Sequence, residues 1–417
     1  MPVRIAAIGL GNRTCKYLQF VKDHPERVVL TAVVEPDAER IENVAAQFGL
    51  PSDRCFRDAS LFFGGRRDYV DAVIIGSPDH THYRYALQSM AFGYHILLEK
   101  PIGINELECR DLATRASVSK VLVSTCYVLR YNPYYEKLKE LSSDPALGKV
   151  VSFEHTVNVG LDRTTHSYVR GPWNLREMDC TMFLSKCCHD VDIALWILGG
   201  KAVKVLSHGS SSLFTASNAP EGSTDRCLDC PAESVCPYSA VDLYWRRRDW
   251  IQGFCHRKDM SVEDAIMAEL REGRYGRCAF KCYNDAINHQ TVHFEMKNGA
   301  TATINMESLT NDDNRVTVIR FMGGVISGDE KTIRVHYFSG KPDEVYDFGD
   351  VFHKPFHGNA DLKTVEGFIS SVEAYGTPET SVSGPGIRTD IAESFMSHLI
   401  CFAAEESRKE NRTIYCI

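Results

Sequence analysis

No apolar run in the 417-residue chain approaches the roughly 18 residues that a bilayer crossing needs. The opening residues, Met1-Pro2-Val3-Arg4-Ile5, carry no signal-peptide apolar region or cleavage site, so the expected location is the cytoplasm, without a membrane partner. Positive charge is also short. With 47 Lys+Arg against 55 Asp+Glu the net charge is -8, the wrong sign for binding a phosphate backbone, so no nucleic-acid partner is expected. Repeats and low-complexity tracts are lacking, and a composition that is 44% hydrophobic and 24% charged excludes wholesale disorder and fibrous architectures. The length suits two or three domains. Cysteine, by contrast, is plentiful. Fifteen of them, an odd number, without an export signal, favour reduced thiols or metal ligands over a secreted disulfide framework.

The first hundred residues alternate strand and helix. Val3 to Ile8 is a β-branched run that ends at Gly9-Leu10-Gly11-Asn12-Arg13, after which Tyr17, Leu18, Phe20 and Val21 recur at helical spacing. Two glycines at such a turn permit close approach of a pyrophosphate, which the N–H groups of a helix N-terminus can hold. The third glycine of a G-x-G-x-x-G fingerprint is replaced by Thr14. A second strand, Val28 to Val34, ends at Glu35, whose carboxylate can accept hydrogen bonds from a ribose diol and repel a 2′-phosphate, so NAD is favoured over NADP. Arg13 runs against that preference, since a guanidinium there could take a phosphate.

Further helices are expected from about Asp37 to Phe48, His82 to Phe92 and Asn105 to Ser117, with strands Ala72 to Ile75, His95 to Leu98 and Val121 to Thr125. This alternation implies a doubly wound parallel sheet of the Rossmann type over residues 1–125. Ligands sit beyond the carboxyl ends of such strands, where Ser77-Pro78-Asp79-His80-Thr81-His82 and Glu99-Lys100-Pro101 fall. Residues 126–417 read as an α+β domain with a mainly antiparallel sheet. Strands are expected at Val150 to Phe153, His293 to Met296, Thr301 to Asn305, Arg315 to Met322 and Thr332 to Tyr337. Asn298-Gly299 makes a hairpin turn, and the last helices run from about Ala360 to Tyr375 and Gly386 to Ser407.

Taken together, Gly9-Leu10-Gly11-Asn12, Glu35, Ser77-Pro78-Asp79 with His82, and Gly93 through Glu99-Lys100-Pro101 resemble the glucose-fructose oxidoreductase, inositol dehydrogenase and MocA (Gfo/Idh/MocA) family of nicotinamide-dependent sugar and polyol oxidoreductases. The likeness continues through Tyr127-Val128-Leu129-Arg130-Tyr131-Asn132-Pro133 and the stretch around His189. It implies that Lys100 stands beside the reacting carbinol and the nicotinamide, and that the peptide before Pro101 is cis. It further implies a catalytic His189 on the helix Met182 to Leu198, with Tyr127 and Arg130 among the substrate contacts, and a carboxy-terminal sheet that walls the substrate and joins subunits into a dimer or tetramer. The family's aspartate one helical turn before the histidine is Ser185 here, which cannot act as the same carboxylate relay. The cofactor contacts expected are Gly9, Gly11, Asn12, Arg13, Glu35, Ser77, Pro78, Asp79, His82, Glu99 and Lys100. Chemistry agrees with this placing of Lys100: hydride loss from a secondary alcohol needs a base for the hydroxyl proton, and burial beside a positive nicotinamide lowers a lysine pKa.

The stretch Thr164 to Trp173 reads as a polar and aromatic loop suited to a carbohydrate, with His166, Arg170 and Trp173 as substrate contacts; Asp285 and His289 are secondary candidates. An insertion from about Gly209 to Tyr283 holds Cys227, Cys230 and Cys236, then Cys255-His256, Cys278 and Cys282. Its C-x2-C spacing fits one structural zinc with Cys282 as fourth ligand; Cys278 or His256 could replace it, and free thiols or an iron–sulfur cluster are the alternatives. The resulting expectation is an NAD-dependent oxidoreductase acting on a secondary alcohol of a sugar, sugar derivative or polyol. A redox-neutral glycosidase using oxidation and elimination, or a non-enzymatic dinucleotide sensor, would use the same fold.

Overall fold

The computed structural model describes residues 1–175, 180–252, 260–375 and 388–416. A six-stranded parallel sheet is built from β1 (Val3–Ile8), β2 (Val28–Val34), β3 (Cys55–Phe56), β4 (Ala72–Ile75), β5 (His95–Leu98) and β6 (Val123–Thr125), in the order β3-β2-β1-β4-β5-β6. The order reverses direction at β1 and β4, which opens a crevice at their carboxyl ends. β1, β4 and β5 are buried almost throughout because helices cover both faces. The helices are α1 (Asn12–Asp23), α2 (Ala38–Phe48), α3 (His82–Phe92) and α4 (Glu106–Val118). Local chemistry sets their ends. Asp37 caps α2 through the N–H groups of Glu39 and Arg40, Asn105 caps α4, and Gly49 and Gly93 stop α2 and α3 in the left-handed region.

The second sheet has nine strands in the order β14-β13-β12-β11-β7-β10-β9-β8-β15, antiparallel except for the β7–β10 pair. Its members are β7 (Val150–Asn158), β8 (Ala202–Ser210), β9 (His289–Met296), β10 (Thr301–Glu307), β11 (Arg315–Phe321), β12 (Gly324–Gly328), β13 (Thr332–Tyr337), β14 (Glu344–Asp347) and β15 (Ile414–Tyr415). In β10 and β13 buried and more exposed residues alternate, so one face packs and the other does not. The β9–β10 hairpin turns at Asn298-Gly299, where Gly299 has φ +85°. Against the packed face lies α5 (Met182–Leu198), capped by Thr181 and stopped at Gly199. The helices α6 (Ala360–Ala374) and α7 (Ile391–Glu410) complete the fold.

The last segment returns to the first sheet: Thr125 N donates to Thr389 O at 2.9 Å, and α7 packs against α4 and β6. The insertion encloses an apolar core of its own from Leu243, Tyr244, Ile251, Ile266, Leu270 and Tyr275. Among the described residues no helix is long and apolar enough to cross a membrane.

Candidate functional site

The turn between β1 and α1 is shaped by contact with the loop after β4. Gly9 has φ +82°, and a Cβ there would lie 2.6 Å from Ser77 Cα, so no side chain fits. Gly11 occupies the N-cap position of α1 with no side-chain cap, and the first turn holds no acidic residue. Its N–H groups are thus left for an anion. Thr14 stands where the fingerprint has its third glycine, and the space it needs comes from across the crevice: a Cβ on Gly76 would meet Thr14 Oγ1 at 2.3 Å. Glu35 is buried beside the turn, Oε2 accepting from Leu10 N at 2.7 Å and Oε1 from Asp37 N at 3.2 Å, with a lone pair left on each oxygen.

Arg13 is not free to take a phosphate. Its Nε donates to Glu99 Oε1 at 3.0 Å, its terminal nitrogens to Asp361 at 3.2 and 2.8 Å, and Nη2 also to Tyr17 Oη. It joins the amino-terminal sheet to α6 instead. Burial would raise the Glu99 pKa, but Arg13, Lys100 and Tyr17 together hold it below the usual carboxylate value. His82 ties two strand-end loops together: Nδ1 lies 2.7 Å from Pro101 O and Nε2 2.8 Å from Ser77 O. Asp79 faces the second domain, accepting from Trp173 Nε1 at 2.9 Å. Ser77 Oγ bonds Thr81 Oγ1 at 2.6 Å, Pro78 O accepts from Thr81 Oγ1 at 2.7 Å, and Asn12 is exposed.

The Lys100–Pro101 peptide is cis. Lys100 Nζ donates to Ser185 O at 2.7 Å, crossing from the end of β5 to α5. At Ser185, already expected to lack a carboxylate relay, Lys100 thus meets a backbone acceptor. The Lys100 pKa is not lowered: burial pulls it down, but Cys188, Tyr168, Glu99 and Asp79 outweigh burial and raise it. Since burial pushes the Tyr168 phenol and the Cys188 thiol up to about 12, both are neutral at pH 7, and the anions facing Lys100 are Glu99 and Asp79. His189 adjoins this group. Its Nδ1 is buried without a hydrogen-bond partner, and desolvation followed by the charge of Lys100 pushes its pKa well below the ordinary value, leaving a neutral imidazole. The Tyr127 ring lies 5.2 Å from it, centroid to centroid.

Two members of this site escaped sequence reasoning. Tyr168 lies in the stretch expected to be a loop, which is instead a wide π-type helix, Thr164–Arg170. Its Oη stands 3.5 Å from Ser185 Oγ. Such widened turns recur at functional sites because they re-aim a side chain. His398 on α7 accepts from Ile102 N through Nε2 at 3.0 Å, so its Nδ1 carries the proton, next to Tyr127 Oη (3.0 Å) and Ser394 O (2.7 Å). It braces the backbone that carries Lys100. Nothing in its local sequence signalled this, because the contact spans 296 positions.

Other expected substrate contacts are placed elsewhere. Arg130 is buried in ion pairs with Asp192 (2.7 Å) and Glu393. His166 is stacked on Tyr275 at 4.7 Å and bonded to Tyr244 Oη at 3.0 Å, covered by the insertion. Arg170 is 0% exposed and points into that insertion, donating to Arg277 O and Tyr238 O. These three pack the domain and do not open to the crevice. Asp285 is exposed, its N–H donating to Asn174 O, and His289 Nδ1 bonds Asn288 Oδ1. Of the expected zinc ligands, Cys282 turns away: its Sγ donates to Val169 O at 3.4 Å. Cys255 and His256 lie outside the described residues, and among the described residues no three ligating side chains are arranged to hold a metal ion.

Residues 3–127 match the model of a family described as oxidoreductases with an NAD-binding Rossmann fold, the Gfo/Idh/MocA family. The amino-terminal part of the chain, with its parallel sheet, thus matches that family. Among its relatives, an inositol 2-dehydrogenase of Saccharopolyspora erythraea is 28% identical over 218 residues, 51% of this chain and 59% of that protein. Myo-inositol 2-dehydrogenase of Thermotoga maritima is 23% identical over 50% of this chain and 58% of its own length. The matches thus span somewhat more than half the length of these relatives. In three dimensions the whole chain superposes on an Agrobacterium radiobacter oxidoreductase solved with NAD+, L-tartaric acid and magnesium (TM-score 0.70, 15% identity, 98% of that chain covered). It likewise superposes on the WlbA dehydrogenase of Bordetella pertussis, solved with NADH and UDP-GlcNAcA (TM-score 0.68, 14% identity, 99% covered). Both share the fold of this chain.

Proposed function

We propose that this chain is an NAD-dependent dehydrogenase that interconverts a secondary alcohol and a ketone on a sugar, sugar derivative or polyol. The observation that carries the reading is the meeting of Lys100 with a neutral His189 whose buried Nδ1 lacks a partner, at the carboxyl end of β5. A buried orphan nitrogen is costly unless a ligand completes it.

The residues around β1 suit an adenine dinucleotide: Gly9 and Gly11 for the pyrophosphate, the uncapped start of α1 for its charge, Glu35 for the ribose diol. NAD is preferred to NADP because Glu35 would face a 2′-phosphate with like charge, while Arg13 is engaged by Glu99 and Asp361. When bound, the oxidised nicotinamide supplies a hydride acceptor and a positive charge. Beside that charge Lys100 loses its proton more readily and takes the carbinol hydroxyl proton on Nζ. Ser185 O fixes the direction of Nζ, and His189 hydrogen-bonds the substrate oxygen or a neighbouring hydroxyl. In reduction the Lys100 ammonium, favoured by Glu99 and Asp79, donates the proton to the carbonyl oxygen. The inositol dehydrogenases among the relatives support a polyol or sugar substrate.

A screen of polyols, sugars and uronic acids with NAD, read by NADH absorbance, tests the reading. Turnover with at least one carbinol, lost in Lys100→Met, is expected. Release of sugar from glycosides without net NADH, or no binding of NAD or NADP, would replace it.

A further inference from the structure

Four thiols of the insertion surround one small space. Cys227, Cys230, Cys236 and Cys278 line a cavity of about 10 Å³, together with Glu233, whose carboxylate is already engaged by Ser239 Oγ at 2.5 Å. The volume admits one water-sized particle and no polynuclear cluster. Next to the thiols lies Arg170, 0% exposed. Its Nε and Nη2 donate to carbonyl oxygens at 2.7 and 2.6 Å, Nη2 stands 3.9 Å from Cys227 Sγ, and Nη1 has no partner. Among the described residues no carboxylate pairs with it. A guanidinium cannot shed its proton, so burying one without a counter-anion is strongly unfavourable. Ala240 N also donates to Cys227 Sγ, at 3.4 Å, so this sulfur faces two N–H donors.

We propose that Cys227, Cys230, Cys236 and Cys278 hold a single tetrahedral soft divalent cation, zinc, as thiolates, and that Arg170 is the buried counter-charge. Four S–H bonds give way to four metal–sulfur bonds and four protons leave to solvent; the resulting site carries two negative charges, which Arg170 offsets in part. The sulfurs do not stand at ligand distance around a point, and metal–sulfur bonds of about 2.3 Å draw them inward. The cation then ties the Cys227–Cys236 loops to the Arg277-Cys278 segment, in which Arg277 forms an isolated antiparallel bridge with Arg226. Arg170 ends the helix that carries Tyr168, so the staple also fixes one wall of the Lys100 site.

The test is metal content, which does not depend on catalysis. Untagged full-length protein purified without chelators is expected to hold one zinc per chain by plasma mass spectrometry. Cys278→Ser and Cys230→Ser are expected to lose it, and Cys282→Ser to keep it. In case a serine variant fails to fold, the unmodified chain loaded with cobalt is expected to show the intense visible bands of tetrahedral thiolate coordination. Well under one metal per chain after dialysis against zinc, iron with acid-labile sulfide, a cobalt spectrum of octahedral type, or zinc lost from Cys282→Ser and kept in Cys278→Ser would each overturn the proposal.

Discussion

Lys100 and His189 differ in what their surroundings do to charge. Burial opposes charge on both, but Lys100 has Glu99 and Asp79 to face, whereas His189 has Lys100 itself. The pair is thus an ammonium beside a neutral imidazole, an arrangement that offers a donor and an acceptor to one substrate oxygen. Lys100→Met should reduce kcat/KM by about 10²- to 10⁴-fold, the usual worth of a positioned acid or base, while protection of the protein against heat by NAD persists. A loss of nucleotide binding of the same size would instead make Lys100 a cofactor clamp. Histidines also set the acid limit of stability. His166 is pushed down to about 3 by burial and then by Arg163, Arg170 and Arg247, and His398 to about 4, chiefly by burial. Both are neutral in the fold, so below about pH 6.5 the unfolded chain binds more protons and stability falls as pH drops toward those values, by up to about 1.4 kcal/mol per pH unit for each histidine. Unfolding midpoints of His166→Phe measured between pH 7 and 4 should show a shallower decline than the unmodified chain; an equal slope would contradict the assignment.

At the scale of elements, the β1–α1 turn is tightly specified by sterics. Gly9→Ala places a methyl against the Ser77 backbone at a positive φ, and a loss of about 1–3 kcal/mol in chemical denaturation, with loss of nucleotide protection, is expected. Denaturation unchanged within about 0.5 kcal/mol would mean that the turn has room to move. Most of the alternating strands and helices of this half were legible because the strands are short apolar runs between turn residues, so α3, β4 and β5 fall where the pattern put them, whereas the two-residue β3, Cys55–Phe56, carries no such run. In the second half, β9, β10, β11 and β13 carry the two-residue alternation of a sheet with one packed face. β12 begins and ends in glycine, β14 is a polar edge strand, and β8 has lysine, histidine and glycine among its residues, so none of them announced itself. The Thr164–Arg170 segment lacked a 3.6-residue period because it is not an α-helix, and that concealed Tyr168. His166, Arg170 and Arg130 had the chemistry for sugar binding, but which way they face is decided by the insertion, Asp192 and Glu393, all remote in sequence.

Across the whole molecule, the groups proposed to react come from both halves of the fold, so the proposed site depends on how the two halves are joined. Arg13 bridges Glu99 behind Lys100 to Asp361 on α6, and α7 carries His398 to the loop after Pro101. Asp361 is fully buried, its carboxyl held well below the usual range by His357 and Arg13 against the effect of burial. Asp361→Asn should destabilise the chain by about 3 kcal/mol, as removal of one partner from a buried pair generally does, and should lower kcat more than it weakens NAD binding. Equal losses in both would place the bridge in cofactor binding alone. The most direct measurement on the molecule as a whole is isotopic. With NAD and a polyol or sugar deuterated at the carbinol carbon, the account predicts deuterium on the reduced nicotinamide, one per ketone formed, in the unmodified chain and almost none in Lys100→Met. Ketone formation with the deuterium lost to water, or transfer undiminished in Lys100→Met, would contradict it.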